Sequence, residues 1–145
     1  MAVAERKIQL TINRVTESAA KRGFKFSASK TVVMHFCRIR GIHPDPDLYI
    51  YGKRISCKDE TLFLGLLFDS KLTWVPHIKN LKVKCIQSLN LIRILSHTSW
   101  GTNRKHPLML YKALIASKVA YGCEIYSSAT KTTLALLDSV HNAGI

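Results

Sequence analysis

The sequence predicts an α+β fold, in which a short antiparallel sheet with one helix is followed by a helical region. Near the start, apolar residues recur at intervals of three and four, which is typical of one face of a helix. The middle of the chain alternates in hydropathy and is punctuated by glycine and proline, as strands and turns are. From Val75 onward a helical apolar stripe is sustained, so we place the boundary between two regions, 1–74 and 75–145, at that residue.

The first region is predicted to begin with a helix and a strand. The apolar face of the helix comprises Ile8, Ile12, Val15 and Ala19, and Gly23 is a suitable stop for it. The following segment KTVVMHF (30–36) has the alternation of a strand, with Val33 and His35 on one side.

Two further segments of the first region have strand patterns. LYIYGKRI (48–55) predicts two short strands about a Gly52–Lys53 turn. TLFLGLLFD (61–69) predicts one apolar strand interrupted by Gly65, where a neighbouring backbone or a ligand comes close.

The second region is predicted to contain three helices. The first has a buried stripe formed by Ile78, Leu81, Cys85, Leu89, Ile92 and Leu95. A second runs from Pro107 to about Tyr121, and we expect most of its apolar residues to be buried, among them Leu108, Tyr111, Leu114, Ile115 and Val119. A third begins near Thr130.

The chain is strongly basic, with 22 Lys and Arg against 9 Asp and Glu and a formal net charge of +13. No acidic residue occurs from Ser70 to Cys123, whereas nine lysines and arginines do. Such a segment repels itself unless an anion lies against it, and a nucleic acid is the simplest such partner. A ribosomal-type or merely basic protein is the other interpretation. Within the segment we select as nucleic-acid-binding candidates Lys79, Lys82, Arg93, Arg104 and Lys105.

Three of these candidates lie on the first helix of the second region. Lys79, Lys82 and Arg93, together with His97, fall within an arc of roughly 60° on a helical wheel. They flank the apolar stripe, as expected of cations that face phosphates.

The cysteines and the apolar segments restrict the class of protein. The four cysteines, Cys37, Cys57, Cys85 and Cys123, form no CxxC pair, which favours thiols in a reducing compartment over a zinc site. No metal ligands are assigned. Neither a signal peptide nor a segment of about 20 apolar residues is found, so we expect an intracellular protein without a membrane partner.

Three segments, in a fixed order, carry a family resemblance. GFKFSASKT (23–31) is similar to the palm segment of reverse transcriptases called motif D. FLGLLFDSKLTWVPHIKNLKVK (63–84) resembles the primer-grip strand and the segment after it in enzymes of non-LTR retrotransposons. LMLYKALIASKVAYGCEIYSSA (108–129) looks like the thumb that follows. The likeness covers nearly the whole chain and is greatest for jockey-like arthropod elements.

The resemblance implies a parent enzyme that is an RNA-directed DNA polymerase, a nucleotidyltransferase. Its partners would be an RNA template and a DNA primer, it would use two Mg²⁺ ions, and it would act in the nucleus. The family's metal-binding aspartates, one on a palm strand and others in a Tyr-X-Asp-Asp turn, have no counterpart here, because the sequence contains no Asp-Asp pair. They are expected upstream, in the missing palm and fingers of the same polyprotein. The chain would then be the end of the palm plus the thumb, binding primer-template without catalysis and needing no cofactor.

The resemblance also suggests roles for individual residues. Lys30 takes the place of the motif D lysine, which meets the pyrophosphate as a general acid in the intact enzyme; otherwise it is a solvated turn residue. Leu64 and Gly65 match the primer grip, although Gly65 also fits a bulge in a buried strand. Trp74 and His77 could contact a nucleotide, but a core anchor is the favoured interpretation of Trp74. The tyrosines are interpreted as packing residues, namely Tyr111, Tyr121 and Tyr126.

Two functions from other classes stay open on the sequence. One is a non-catalytic basic nucleic-acid-binding protein, and the other is an inert remnant of a decayed element. A Tyr-X-Asp-Asp turn in the same reading frame, just upstream of Met1, would favour the polymerase over both.

Overall fold

The computed structural model describes residues 2–38, 44–96 and 105–144, which form two compact units. The first unit comprises residues 1–61 with 69–71, and the second comprises residues 62–68 with 72–145. The described strands form three two-stranded pairs, and the second unit is mainly helical, which confirms the α+β class. Among the described residues, no helix is both long and apolar enough to cross a bilayer.

The first unit begins with helix α1, Ala2–Lys21. Gly23 ends it at a φ of 78°, as predicted, because a left-handed residue there lets the next amides return to the last turn. The Gly23 N–H donates to the Ala20 carbonyl at 3.0 Å and the Phe24 N–H to the Ala19 carbonyl at 2.9 Å. Carbonyls that would otherwise be unsatisfied at the helix end are thereby paired.

Helix α1 is joined to the sheet by its side chains. The Gln9 amide pairs with the backbone of Tyr49, donating to its carbonyl and accepting from its N–H, both at 2.8 Å. A small core of Leu48, Ile50 and Ile55 lies beneath, with Ile12 of the helix against it. The predicted apolar face of α1 is therefore used in part, although Ile8 and Val15 stay 46% and 48% exposed.

Four short strands complete the first unit, namely β1 Val32–Val33, β2 Tyr49–Ile50, β3 Lys53–Arg54 and β4 Ser56–Cys57. Strand β1 is shorter than KTVVMHF and pairs in parallel with β4, whereas β2 and β3 form the predicted hairpin. The turn of this hairpin is Tyr51–Gly52, one residue before the predicted one, with φ of 50° and 73°. Positive φ at both positions is what a type I′ turn requires.

The segment TLFLGLLFD is a hairpin and not the single strand that was predicted. Its strands are β5, Glu60–Phe63, and β6, Leu66–Asp69, and Leu64 and Gly65 form the turn with φ of 48° and 80°. Gly65 is thus a turn glycine, so its interpretation as a bulge was wrong. A short apolar run does not by itself separate one long strand from two short ones, because its hydropathy does not mark where the chain reverses.

The second unit is built around helix α2, Val75–Leu95. The predicted stripe is confirmed from Ile78 to Ile92, whereas Leu95 is 50% exposed. Trp74 precedes the helix at a φ of 62°; its ring is buried against Phe68, with ring centres 4.9 Å apart, and its indole N–H donates to Ser128 Oγ at 3.0 Å. The core-anchor interpretation of Trp74 is therefore confirmed.

The remaining helices pack on α2. The second predicted helix consists of three consecutive parts, namely helix α3, Lys105–Tyr111, a π-helical turn, Lys112–Ala116, and helix α4, Ser117–Ala120. In it Ile115 is fully buried, as predicted, whereas Leu108 is 56% exposed. A short α5, Cys123–Tyr126, was not predicted. The third predicted helix begins after its Thr130 cap, as expected, and comprises α6 Lys131–Leu134, a 3-10 turn Ala135–Leu137 and α7 Asp138–Gly144.

Candidate nucleic-acid interface

One flank of α2, here called the first flank, carries three of the basic residues selected from the sequence, namely Lys79, Lys82 and Arg93. Lys79 and Arg93 are exposed and Lys82 is half-buried, while the opposite side of the helix contains the buried stripe. Lys105 is the first residue of α3, and Arg104 lies outside the described residues. The structure therefore places three of the five candidates on one solvent-facing side of a single helix.

The opposite flank of α2 carries basic residues that the sequence prediction did not select. Lys84 of α2 and Lys118 of α4 are 34 positions apart in the chain, yet both line one pocket. The Lys118 ammonium donates to Ser88 Oγ at 2.7 Å, and Ser88 Oγ donates to the Lys84 carbonyl at 3.1 Å. Ser88 therefore holds the Lys118 side chain beside α2.

This pocket has a volume of about 230 Å³ and is lined by Gly65, His77, Asn80, Leu81, Lys84, Lys118 and Tyr121. Among the described residues, no acidic side chain lines it. The two ion pairs described in the structure, Lys21–Glu17 and Arg54–Asp47, both lie in the first unit. The pocket is therefore a concentration of positive charge within the second unit.

His77 forms the inner wall of the pocket and is only 7% exposed. Its Nδ1 accepts a hydrogen bond from the Leu67 N–H at 3.2 Å, so the neutral ring carries its proton on Nε2. Burial lowers the pKa of His77, and the Lys84 charge lowers it further. The His77 ring also packs on Trp74 and Tyr126, and both His77 and Trp74 are buried, so neither ring is free to stack on a base.

The hairpin tip matched to the primer grip forms one edge of the pocket. The Tyr121 hydroxyl donates to the Leu64 carbonyl at 2.7 Å, and a Cβ on Gly65 would lie 3.2 Å from the Tyr121 ring. Three apolar side chains at the tip face solvent, namely Leu62, Phe63 and Leu64, which are 64%, 60% and 72% exposed. Tyr121 is itself 59% exposed, so it packs on the hairpin turn at the surface and not in the core.

Lys30 lies in the first unit, in a turn before β1. The Lys30 and Thr31 amides donate to the Ser27 carbonyl at 3.2 and 3.0 Å, and the Thr31 hydroxyl donates to the same oxygen at 2.8 Å. The Lys30 side chain is exposed. The turn fixes its backbone and leaves the ammonium accessible to a partner.

The acidic residues do not provide a site for Mg²⁺. Among the described ranges, no three His, Cys, Asp or Glu side chains lie close enough to hold a metal ion together. Asp47 pairs with Arg54, Asp45 interacts with the Cys57 thiol, and Asp69 is buried in another part of the chain. The residues present thus do not fit the two-metal centre of a polymerase, which needs converging carboxylates.

Three curated proteins are similar to this chain. Over 100 residues it is 27% identical to the "Retrovirus-related Pol polyprotein from type-1 retrotransposable element R1" of Bradysia coprophila, a match that covers 69% of the chain and 10% of the relative. The chain is homologous to non-LTR retrotransposon polyproteins. The family resemblance that the sequence suggested is thereby confirmed.

The two other relatives agree with this assignment. Over 90 residues the chain is 28% identical to the "Retrovirus-related Pol polyprotein from type-1 retrotransposable element R1 4" of Nasonia vitripennis, which covers 62% of the chain and 23% of the relative. Over 129 residues it is 22% identical to the "Probable RNA-directed DNA polymerase from transposon X-element" of Drosophila melanogaster, covering 89% of the chain and 14% of the relative. The chain therefore corresponds to a tenth to a quarter of these relatives. No family model and no solved structure matches it.

Proposed function

We propose that this chain is the primer-template-binding part of a retrotransposon reverse transcriptase, comprising the end of the palm and the thumb. The parent enzyme would copy RNA into DNA with Mg²⁺ held by segments outside this chain. The observation that carries the proposal is the acid-free run from Ser70 to Cys123, whose helix α2 carries lysines on both of its flanks. The relatives are named as Pol polyproteins and an RNA-directed DNA polymerase, which supports the same function.

The proposed mechanism of binding is electrostatic. Each lysine or arginine that neutralises a phosphate releases a counterion, so affinity falls linearly on a logarithmic scale as salt rises. Lys79 and Lys82 lie about one turn apart on α2, a spacing of roughly 5 Å along the helix axis, which suits neighbouring phosphates of one strand. Contacts of this kind position a nucleic acid without reading its sequence.

The test of the interface is fluorescence anisotropy with a labelled DNA primer annealed to an RNA template. For Z phosphate contacts we expect a slope of log K against log salt of about −0.9Z, and the Lys79→Gln/Lys82→Gln variant should reduce its magnitude by about 2. The matched control is Lys7→Gln/Lys58→Gln, which removes the same charge from exposed positions in the first unit. Equal slopes for the two variants would contradict an interface on α2.

We also propose that the chain alone does not synthesise DNA. The converging carboxylates of a two-metal centre are lacking in its sequence. Primer extension with Mg²⁺ or Mn²⁺ should therefore give no incorporation. Incorporation that is abolished by substitutions within this chain would show that the proposal is wrong.

A preceding segment of the same polyprotein is the proposed partner of the first unit. An open apolar groove of about 490 Å³ lies beside α1 and is lined by Ile8, Ile12, Val15, Phe26, Val33, Ile55 and their neighbours. Ile8, Val15 and Phe26 beside it are large apolar side chains that stay 46%, 48% and 43% exposed, and clustered apolar surface marks an interaction site. A longer product of the same reading frame should therefore unfold at a higher temperature than the chain alone, with less binding of a hydrophobic dye.

A further inference from the structure

The pocket between α2 and Tyr121 offers hydrogen-bond donors but no acidic side chain. The residues that line its volume of about 230 Å³ include Lys84, Lys118 and Asn80, whose side chains all carry hydrogen-bond donors. An anion is the class of ligand that this lining favours, because an anion accepts hydrogen bonds and balances positive charge. The volume exceeds the share of about 30 Å³ that one water occupies in the liquid, so a tetrahedral oxyanion has room.

His77 provides a second and independent observation. The Leu67 amide occupies its Nδ1, so the proton is on Nε2. Yet Nε2 is buried and has no hydrogen-bond partner in the part of the chain that the structure describes. A buried donor left unpaired costs stability, so an unpaired donor on a residue that lines a pocket points to a ligand or water that accepts from it.

The two lysines provide a third observation. Lys118 is held toward α2 by Ser88 and lines the same pocket as Lys84, and no acidic side chain of the described residues is in that lining. Like charges held near each other repel, and a bound anion relieves that repulsion.

We propose that this pocket binds a single phosphate group, with Lys84, Lys118 and the Nε2–H of His77 as donors, and that the phosphate belongs to a nucleic-acid strand. The proposal rests on the proposed function and extends it, because it assigns one phosphate to one built pocket on the flank of α2 opposite Lys79 and Lys82. Free inorganic phosphate has the same chemistry and is the other source to be distinguished.

The first experiment titrates the chain with inorganic phosphate and follows the ring nitrogens of His77 by ¹H–¹⁵N NMR. We expect a saturable shift of the Nε2 resonance that sodium chloride at equal ionic strength does not produce. Lys84→Gln and Lys118→Gln should each weaken phosphate binding by about tenfold or more, since each removes a charge-assisted hydrogen bond. Lys131→Gln, an exposed lysine of α6 outside the pocket and outside the proposed interface, should bind phosphate as the wild type does.

Two outcomes would overturn the phosphate site. One is a His77 resonance that does not respond to phosphate, and the other is equal weakening by Lys131→Gln, which would indicate general screening. Because both pocket lysines are exposed, their substitution leaves the core intact and the comparison interpretable.

The second experiment identifies the source of the phosphate. A short DNA strand should compete with inorganic phosphate for the His77 shift, whereas a strand of the same length with every linkage replaced by an uncharged methylphosphonate should not compete. Failure to compete would overturn the strand as the source and assign the pocket to a free anion. If the strand binds through Lys79 and Lys82 while His77 does not respond, only this inference fails. If inorganic phosphate shifts His77 but no strand binds at all, the proposed function fails.

Discussion

The hydroxyl of Tyr121 donates a 2.7 Å hydrogen bond to the carbonyl of Leu64, joining the end of α4 to a hairpin turn 57 positions earlier. Leu64 is a left-handed turn residue, and its side chain is 72% exposed. The Leu64 side chain therefore contributes little packing that could stabilise the hairpin turn. Tyr121 supplies a tertiary contact at the segment that resembles the primer grip.

Removal of this hydrogen bond should destabilise the second unit slightly. We expect Tyr121→Phe to lower the free energy of unfolding by about 1 kcal/mol, the usual net contribution of one hydrogen bond. Urea unfolding followed by circular dichroism measures the change. The control is Tyr49→Phe, an exposed tyrosine of the first unit, and an equal loss in both variants would contradict the role of the Leu64 contact.

A side chain at Gly65 should be costly for two separable reasons. The φ of 80° disfavours any residue with a Cβ by about 1–2 kcal/mol, and the added carbon would also lie 3.2 Å from the Tyr121 ring. Gly65→Ala should therefore cost more in the wild type than in a Tyr121→Ala background, where only the backbone term is left. A double-mutant cycle by urea unfolding measures the difference, and identical costs in the two backgrounds would exclude the steric contact.

Acid should destabilise the second unit through His77. Burial lowers the folded-state pKa of His77 below 6.5, so the unfolded chain takes up the proton first. Stability is then full above about pH 6.5 and is lost as the pH falls through that value toward the lower folded pKa.

The measurement is the thermal midpoint of unfolding at several pH values from about 7.5 to 5. The decline should be smaller in His77→Gln than in the wild type, while His106→Gln, an exposed histidine of α3, should behave as the wild type. If His77→Gln does not fold, NMR titration of the His77 ring gives the pKa directly. A value at or above 6.5 would contradict the buried neutral ring.

The two cysteines of the second unit should differ strongly in reactivity. Cys85 is fully buried, and burial raises the pKa of its thiol, with a smaller opposing effect of Lys118. Cys123 is exposed. Since the thiolate is the reactive form, iodoacetamide should modify Cys123 at least about tenfold faster than Cys85 in single-cysteine variants. In urea the two rates should converge, and convergence without denaturant would contradict the described packing of α2.

Lys30 should affect chemistry more than binding in an active full-length enzyme. If it is a general acid, Lys30→Ala should slow nucleotide incorporation by about 10²-fold with little change in primer-template affinity. Lys30→Arg should stay slow, because a guanidinium does not give up its proton, whereas a purely electrostatic role predicts rescue. Single-turnover rates decide between them, and equal rates in all three proteins would leave Lys30 as a turn residue.

Much of the fold was predictable because its signals are local. The stripe of α2 from Ile78 to Ile92, the glycine stop of α1 and the Thr130 cap depend on residues a few positions apart. The hairpin at Gly65 was missed because its strands are apolar on both sides of the turn, so that no polar residue marks the reversal. The strand in KTVVMHF was predicted too long, because its length is set by pairing with β4, a long-range contact that involves only two of its residues.

The sequence by itself determined the basic balance, the α+β class and the lysines on the first flank of α2. These follow from the composition and from the spacing of apolar residues, which repeats every two residues in a strand and every 3.6 residues in a helix and can be read within a short segment. Only the tertiary structure decided that Lys84, Lys118 and His77 share a pocket and that Tyr121 holds the Leu64 turn. Lys84 and Lys118 are 34 positions apart, and Leu64 and Tyr121 are 57 positions apart. Each pair is brought together because the segment with α4 and Tyr121 packs on α2 and on the hairpin turn. No periodicity encodes that separation, because it depends on how side chains fill the core between the elements.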